Sequence, residues 1–169
     1  MDKTKRRQRL DRIPKNVVDF GPRGFFGIGI HEPGNALNMG GLWRSAMLLG
    51  ASWVFTIGMR YQPMRSDTQK AFRHIPLFYF SHFDGFFESL PQDAALVAVE
   101  QTPGACALPE FTHPERAVYL LGHEDQGLPH DIVDRAAHTV HIPVRHGLSL
   151  NVHVAGSLIM YDRLSKSGA

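Results

Sequence analysis

Apolar residues in this chain come in short unbroken blocks, separated by polar or helix-patterned stretches. Phe25-Phe26-Gly27-Ile28-Gly29-Ile30 predicts a buried strand between glycine and proline, and Ser52–Ile57, Leu77–Phe80, Ala94–Val99, Ala117–Leu121 and Val140–Val144 predict five more. Helices are expected at about Gly41–Leu49, stopped by Gly50, and at Phe83–Leu90 and Pro129–Ala137. A last helix is expected at Leu150–Leu164, with Val152, Ala155, Ile159 and Leu164 along one stripe. The polar segment 66–76 reads as a short helix or an ordered loop. Strands that are apolar throughout and alternate with helices predict an α/β fold: a mostly parallel sheet with helices on both faces. Ligands bind such sheets at the carboxyl ends of the strands. Three turns rich in Gly, Asn or Ser fall there: Gly34–Gly41, Gly122–Gly127 and Arg145–Asn151.

A length of 169 residues predicts a single domain. No apolar run reaches the roughly 18 residues of a membrane helix, and no apolar stretch follows the basic start as a secretory signal requires. One cysteine, Cys106, excludes an intramolecular disulfide and fits a reducing compartment, so a cytoplasmic location is expected. Charge is unevenly placed. Residues 1–23 carry eight basic and three acidic side chains, a net +5, against ten basic and 13 acidic in the remainder, a net −3. Residues 1–23 therefore read as a flexible basic arm on a mildly acidic domain, 24–169. Such an arm suits a polyanion partner such as RNA, and on charge alone equally suits a solvated tail that aids solubility.

The three turns carry motifs. The first is Asn38-Met39-Gly40-Gly41-Leu42-Trp43-Arg44-Ser45-Ala46, and the second is Gly122-His123-Glu124-Asp125-Gln126-Gly127-Leu128. The third joins Ile142-Pro143-Val144 to Ser149-Leu150-Asn151-Val152-His153-Val154-Ala155. In this order they resemble the SPOUT superfamily of RNA methyltransferases, in its SpoU/TrmH-like branch that methylates ribose 2′-hydroxyls of tRNA or rRNA. Val144 and His153 depart from that pattern, where methionine and serine stand, and the link from Pro143 to Ser149 is short.

The resemblance implies a deep trefoil knot in the C-terminal third, S-adenosylmethionine as methyl donor without a metal, and a homodimer acting on RNA. It places Arg44 in the catalytic position. Arginine, with a pKa of about 12.5–13.8, is a poor base in isolation. Either a phosphate and a dry pocket let Arg44 take the hydroxyl proton, or Arg44 clamps the phosphate while another group takes it. Glu124 is expected to orient Arg44 or the substrate, or else to be a plain turn glutamate. Ser149, Asn151 and Asn38 are expected among the catalytic residues: Ser149 is also a plausible N-cap of the last helix, Asn151 a contact near Arg44 and the cofactor, and Asn38 holds the substrate loop or contacts RNA, or else is a turn residue. Val99, Ile142 and Leu150 would wall the adenine, Gly122 would allow its close approach, and Glu100 and Gly127 would meet the amino-acid end. His138 and His141, three apart on a strand, point to opposite faces, so no zinc site is expected. The aromatic middle from Phe72 to Phe87 reads as core and dimer surface, with base stacking as the alternative. A non-catalytic RNA-binding protein is the competing expectation.

Overall fold

The structure is a computed structural model and describes residues 24–62 and 71–167. The basic arm and the first part of the polar segment lie outside those residues. The elements are β1 (Phe25–His31), α1 (Ala36–Leu49), β2 (Trp53–Ile57), β3 (Leu77–Phe80), α2 (Phe83–Glu88), β4 (Ala95–Val99), β5 (Cys106–Ala107), β6 (Arg116–Leu121), α3 (His130–Val133), β7 (His138–His141) and α4 (Val152–Lys166). Single 3₁₀ turns cover Ala71–Arg73 and Leu108–Glu110.

The strands form one sheet in the order β3-β2-β1-β6-β4-β7-β5, every pair parallel. Alternation divides its side chains between two layers. Ile28, Ile30, Val97 and Tyr119 pack with Leu42 of α1 and Ile159 of α4, whereas Phe55, Ala98, Val118 and Leu120 pack with Phe86 of α2 and Ile132 of α3. The register sets Ile30 beside Leu121, Leu121 beside Val99, and Val99 beside Val140. Four central strands thus end at one level, and the segments that leave them start together. Among the described residues no helix is long and apolar enough to cross a membrane.

Several boundaries differ from the sequence reading. α1 begins at Ala36, not Gly41, because Asn35 caps it: its side chain accepts from the Leu37 N–H at 2.9 Å. Gly40 and Gly41 are therefore inside the helix. Gly50, at φ 84°, ends it as expected. α3 is four residues long instead of nine. β7 starts at His138, two residues early, and ends before Ile142. β5 was not expected, since two residues give no period to read.

In α4 the buried stripe is Val152, Gly156, Ile159, Met160 and Arg163, while Leu164 is 42% exposed. The helical period carries the stripe to position 163, and the chain makes a charge acceptable there. The Arg163 guanidinium donates to Pro114 O at 2.6 Å, Glu115 O at 2.7 Å and the Tyr119 hydroxyl at 3.2 Å, and lies 5.1 Å from the centre of the Phe26 ring.

Candidate active site

A pocket of about 270 Å³ opens at the carboxyl ends of the central strands. This is just below the usual range of ligand sites, roughly 300–1,000 Å³. Three segments build it: Val99–Gln101 from the end of β4, Leu121–Gly127 from the end of β6, and the stretch from His141 to Leu150 from the end of β7, with Val152 and Ala155 of α4 closing one side. Val99, Leu121, Ile142, Leu150 and Val152 supply apolar wall, and the turn backbone supplies polar groups.

The turn after β6 is held from within and from outside. His123 and Gly127 exchange backbone hydrogen bonds, at 3.2 Å from the His123 N–H and 2.9 Å from the Gly127 N–H. Gly127 has φ 68°, in the left-handed region that favours glycine. A Cβ on Gly122 would lie 2.2 Å from the carbonyl carbon of Gly127 and 2.5 Å from the nitrogen of Leu128. Only glycine lets the two arms of the turn come this close.

Glu100 fixes the same turn from β4. Its Oε2 accepts from the Leu128 N–H at 2.7 Å and its Oε1 from the Gln101 N–H at 2.9 Å. Glu100 lines the pocket, and its carboxylate holds the turn instead of standing free for a cofactor's amino group.

Beside the pocket is a polar cluster drawn from three elements. The Asn38 side-chain amide donates to Glu124 Oε1, and the Gly34 N–H donates to Glu124 Oε2 at 2.8 Å. The Asn151 amide donates to Asn38 Oδ1 at 3.1 Å, and His153 Nδ1 is 3.3 Å from the same oxygen. Asn38 is 5% exposed. Partial burial pushes the Glu124 carboxyl up. The hydrogen bonds from Asn38, its own backbone N–H and Gly34, with the neighbouring His123, outweigh that and hold it below the ordinary glutamate value.

The expected residues fall into two groups. Val99, Glu100, Gly122, Gly127, Ile142 and Leu150 all line the pocket, together with Glu124 and Ser149. Asn38 and Asn151 join Glu124 in the adjoining cluster. Asn151, not Ser149, caps α4, its side chain accepting from the His153 N–H at 3.0 Å. Asn151 bonds to Asn38, and neither lines the pocket. Glu124 is spent on Asn38 and Gly34, not on Arg44. Arg44 stands exposed on α1, outside the pocket lining and without an ion pair or hydrogen bond among the described residues. Sequence reasoning missed Gln101, His141 and Leu148 in the wall and His153 in the cluster. For His153 there was a signal: it is the position at which the third motif departs from its pattern.

The pattern of the SpoU rRNA Methylase family matches residues 26–161. The chain is 30% identical over 152 residues to a tRNA (cytidine(34)-2′-O)-methyltransferase of Ancylobacter novellus, covering 83% of this chain and 92% of that protein. It is 28% identical over 138 residues to the mouse tRNA (guanosine(18)-2′-O)-methyltransferase TARBP1, covering 74% of this chain but only 8% of that much longer protein. An AdoMet-bound rRNA methyltransferase from Sinorhizobium meliloti has the same fold, with a TM-score of 0.76 at 20% identity over 85% of this chain and 57% of that one.

Proposed function

The chain belongs to the SpoU rRNA Methylase family, and from that premise we propose that it transfers a methyl group from S-adenosylmethionine to a ribose 2′-hydroxyl of tRNA or rRNA. The carrying observation is the pocket at the strand ends, with the Asn38–Glu124–Asn151 cluster beside it. The pocket suits the donor: apolar walls from Val99, Ile142 and Leu150, a floor without a Cβ at Gly122, and backbone polar groups for an uncharged base. When bound, the donor supplies a methyl already activated by its sulfonium.

What remains for the protein is alignment of two reactants, an effect worth several kcal/mol, and disposal of a proton. The exposed guanidinium of Arg44 offers planar paired donors, the geometry that grips an RNA phosphate. In this reading Arg44 clamps the phosphate and polarises the hydroxyl, and Asn38 with Glu124 fixes the first turn of its helix. The basic segment 1–23, with its net +5, adds phosphate contacts.

A homodimer belongs to the same reading. Leu37 and Leu48 of α1 are 63% and 58% exposed, on the helical face that also carries Arg44. Val154, Leu158 and Tyr161 extend an apolar stripe along the neighbouring α4. A second copy of the chain would cover both and bring its own groups toward Arg44. The trefoil knot is also part of it, supported by β7 lying between β4 and β5 and by α4 returning across the sheet to pack on α1. A cytoplasmic setting suits the free thiol of Cys106.

Calorimetry with S-adenosylmethionine, followed by tritium transfer to separated tRNA and rRNA and nucleoside mapping, tests the proposal. Donor binding and a labelled 2′-O-methylnucleoside are expected. RNA binding without either would favour a non-catalytic role.

A further inference from the structure

We infer that His153 is a positioning residue for methyl transfer, acting through Asn38; the inference rests on the reading of the site given above. The Asn38 amide has two orientations of equal shape and opposite polarity. In the one observed, its NH₂ faces the Glu124 carboxylate, and its oxygen receives Asn151 Nδ2 at 3.1 Å and His153 Nδ1 at 3.3 Å. The reverse orientation would set an oxygen against the carboxylate and a donor against the Asn151 amide. Oδ1 can only accept, so the 3.3 Å contact is a hydrogen bond in the form of His153 that carries its hydrogen on Nδ1, and there Nδ1–H donates to Asn38.

The local structure is shaped for this ring. Gly41 lies one turn beyond Asn38 on α1, and a Cβ there would come within 3.0 Å of both Cγ and Cδ2 of His153. Asn151 and His153 are delivered together, since Asn151 caps the helix through the His153 N–H. One turn on, the Ser157 hydroxyl reaches His153 O at 2.7 Å and the Ser45 hydroxyl at 2.8 Å, pinning α4 to α1. The serine that stands here in the family pattern would leave Asn38 Oδ1 with one donor and the space beside Gly41 empty. His153 is outside the pocket lining. Its effect thus belongs to kcat, not to donor affinity.

The test compares His153→Leu, His153→Ser and His153→Asn in the full chain. Asparagine sets an amide nitrogen near the place of Nδ1, whereas leucine keeps bulk without a donor. H153L and H153S are expected to lower kcat about tenfold, the scale of one hydrogen bond, with the S-adenosylmethionine Kd and the RNA KM within about twofold. H153N should recover most of kcat, and in an Asn38→Ala background H153L should add no further loss. The inference is overturned by unchanged kcat in H153L, by equal losses in H153N and H153L, by additive losses with Asn38→Ala, or by lost donor binding in both H153L and H153S. Wild-type protein that binds no donor would sink the functional reading itself, a result distinct from all of these.

Discussion

Asn38 and Glu124, 86 positions apart in the chain, share a hydrogen bond that ties the first turn of α1 to the turn after β6. The other carboxylate oxygen takes the Gly34 N–H at 2.8 Å, so both oxygens of Glu124 are acceptors in use. Glu124→Gln replaces one of them with a donor. Whichever way the new amide turns, Asn38 or Gly34 then faces an N–H. Methyl transfer is expected to fall at least about tenfold, with a stability loss of about 1–2 kcal/mol, read by tritium transfer and urea denaturation.

The same contacts set a pH dependence. Glu124 titrates below the ordinary value of 4.5 in the folded chain. On acidification the unfolded chain takes up the proton first. The stabilisation is complete above about pH 4.5 and disappears as pH falls through the folded value. The gap in urea midpoint between wild type and E124Q is expected to be wide at about pH 6 and to narrow toward about pH 3.5. A constant gap would show that the carboxylate is not the group being read.

Arg44 presents the opposite case, an exposed side chain without a partner among the described residues. Arg44→Ala should change stability by no more than about 0.5 kcal/mol. Donor affinity should hold as well, since Arg44 is outside the pocket lining. RNA methylation should nevertheless be lost, and Arg44→Lys should recover little of it, because an ammonium cannot grip a phosphate bidentately. Melting temperature, calorimetry and methyl transfer on one preparation separate these effects.

How far the sequence alone reached follows from which interactions are local. Strands such as Phe25–His31 and Arg116–Leu121 were legible because the runs Phe26–Ile30 and Ala117–Leu121 within them are apolar and buried on both faces. The wall residues Val99, Gly122, Ile142 and Leu150 were legible through the family resemblance: Val99 ends β4, Gly122 and Ile142 open the turns after β6 and β7, and Leu150 stands just ahead of α4. The start of α1 was not, since Gly40 and Gly41 read as loop and the Asn35 cap decides otherwise. Nor was the true partner of Glu124. The sequence offered Arg44, the substrate or no partner at all, but geometry gave the carboxylate to a buried amide and a backbone N–H. Arg163 was invisible for a similar reason. Its partners are backbone carbonyls 48 and 49 positions away, which no side-chain pattern reports.

Gly122→Ala tests the close turn. The added methyl would meet backbone atoms of Gly127 and Leu128 at 2.2–2.6 Å, and backbone cannot swing aside as a flexible side chain does. The turn must open, which moves the Leu128 N–H off Glu100 and the pocket floor with it. Donor binding is expected to weaken at least about tenfold, or about 1.4 kcal/mol. Gly147→Ala is the control, since a Cβ there meets nothing within 4 Å. Calorimetry on the two variants reads the difference.

The far end of α4 should govern stability without touching the site. Arg163 is about 18 Å along the helix from Asn151. Arg163→Met would leave Pro114 O and Glu115 O without their donor and remove one from the Tyr119 hydroxyl, at a cost of about 3 kcal/mol or more. Donor affinity, measured below the melting transition, should not change. The adjoining His113 bridges Tyr119 at 2.7 Å and Asp162 at 2.9 Å. Burial lowers its pKa, the Asp162 hydrogen bond and charge oppose that, and Arg163 and Lys166 add to the lowering, for a net shift below 6.5. The unfolded chain therefore protonates first, so the contribution is present above about pH 6.5 and lost as pH falls through the folded value. His31, buried at the end of β1, is lowered chiefly by burial as well, against the opposing charges of Glu32 and Asp131. Urea midpoints should thus fall between about pH 7 and about pH 5 in the wild type, less steeply in His113→Gln, with His31 supplying the slope that remains. An equal slope in the two proteins would mean that His113 keeps its ordinary affinity for a proton when folded.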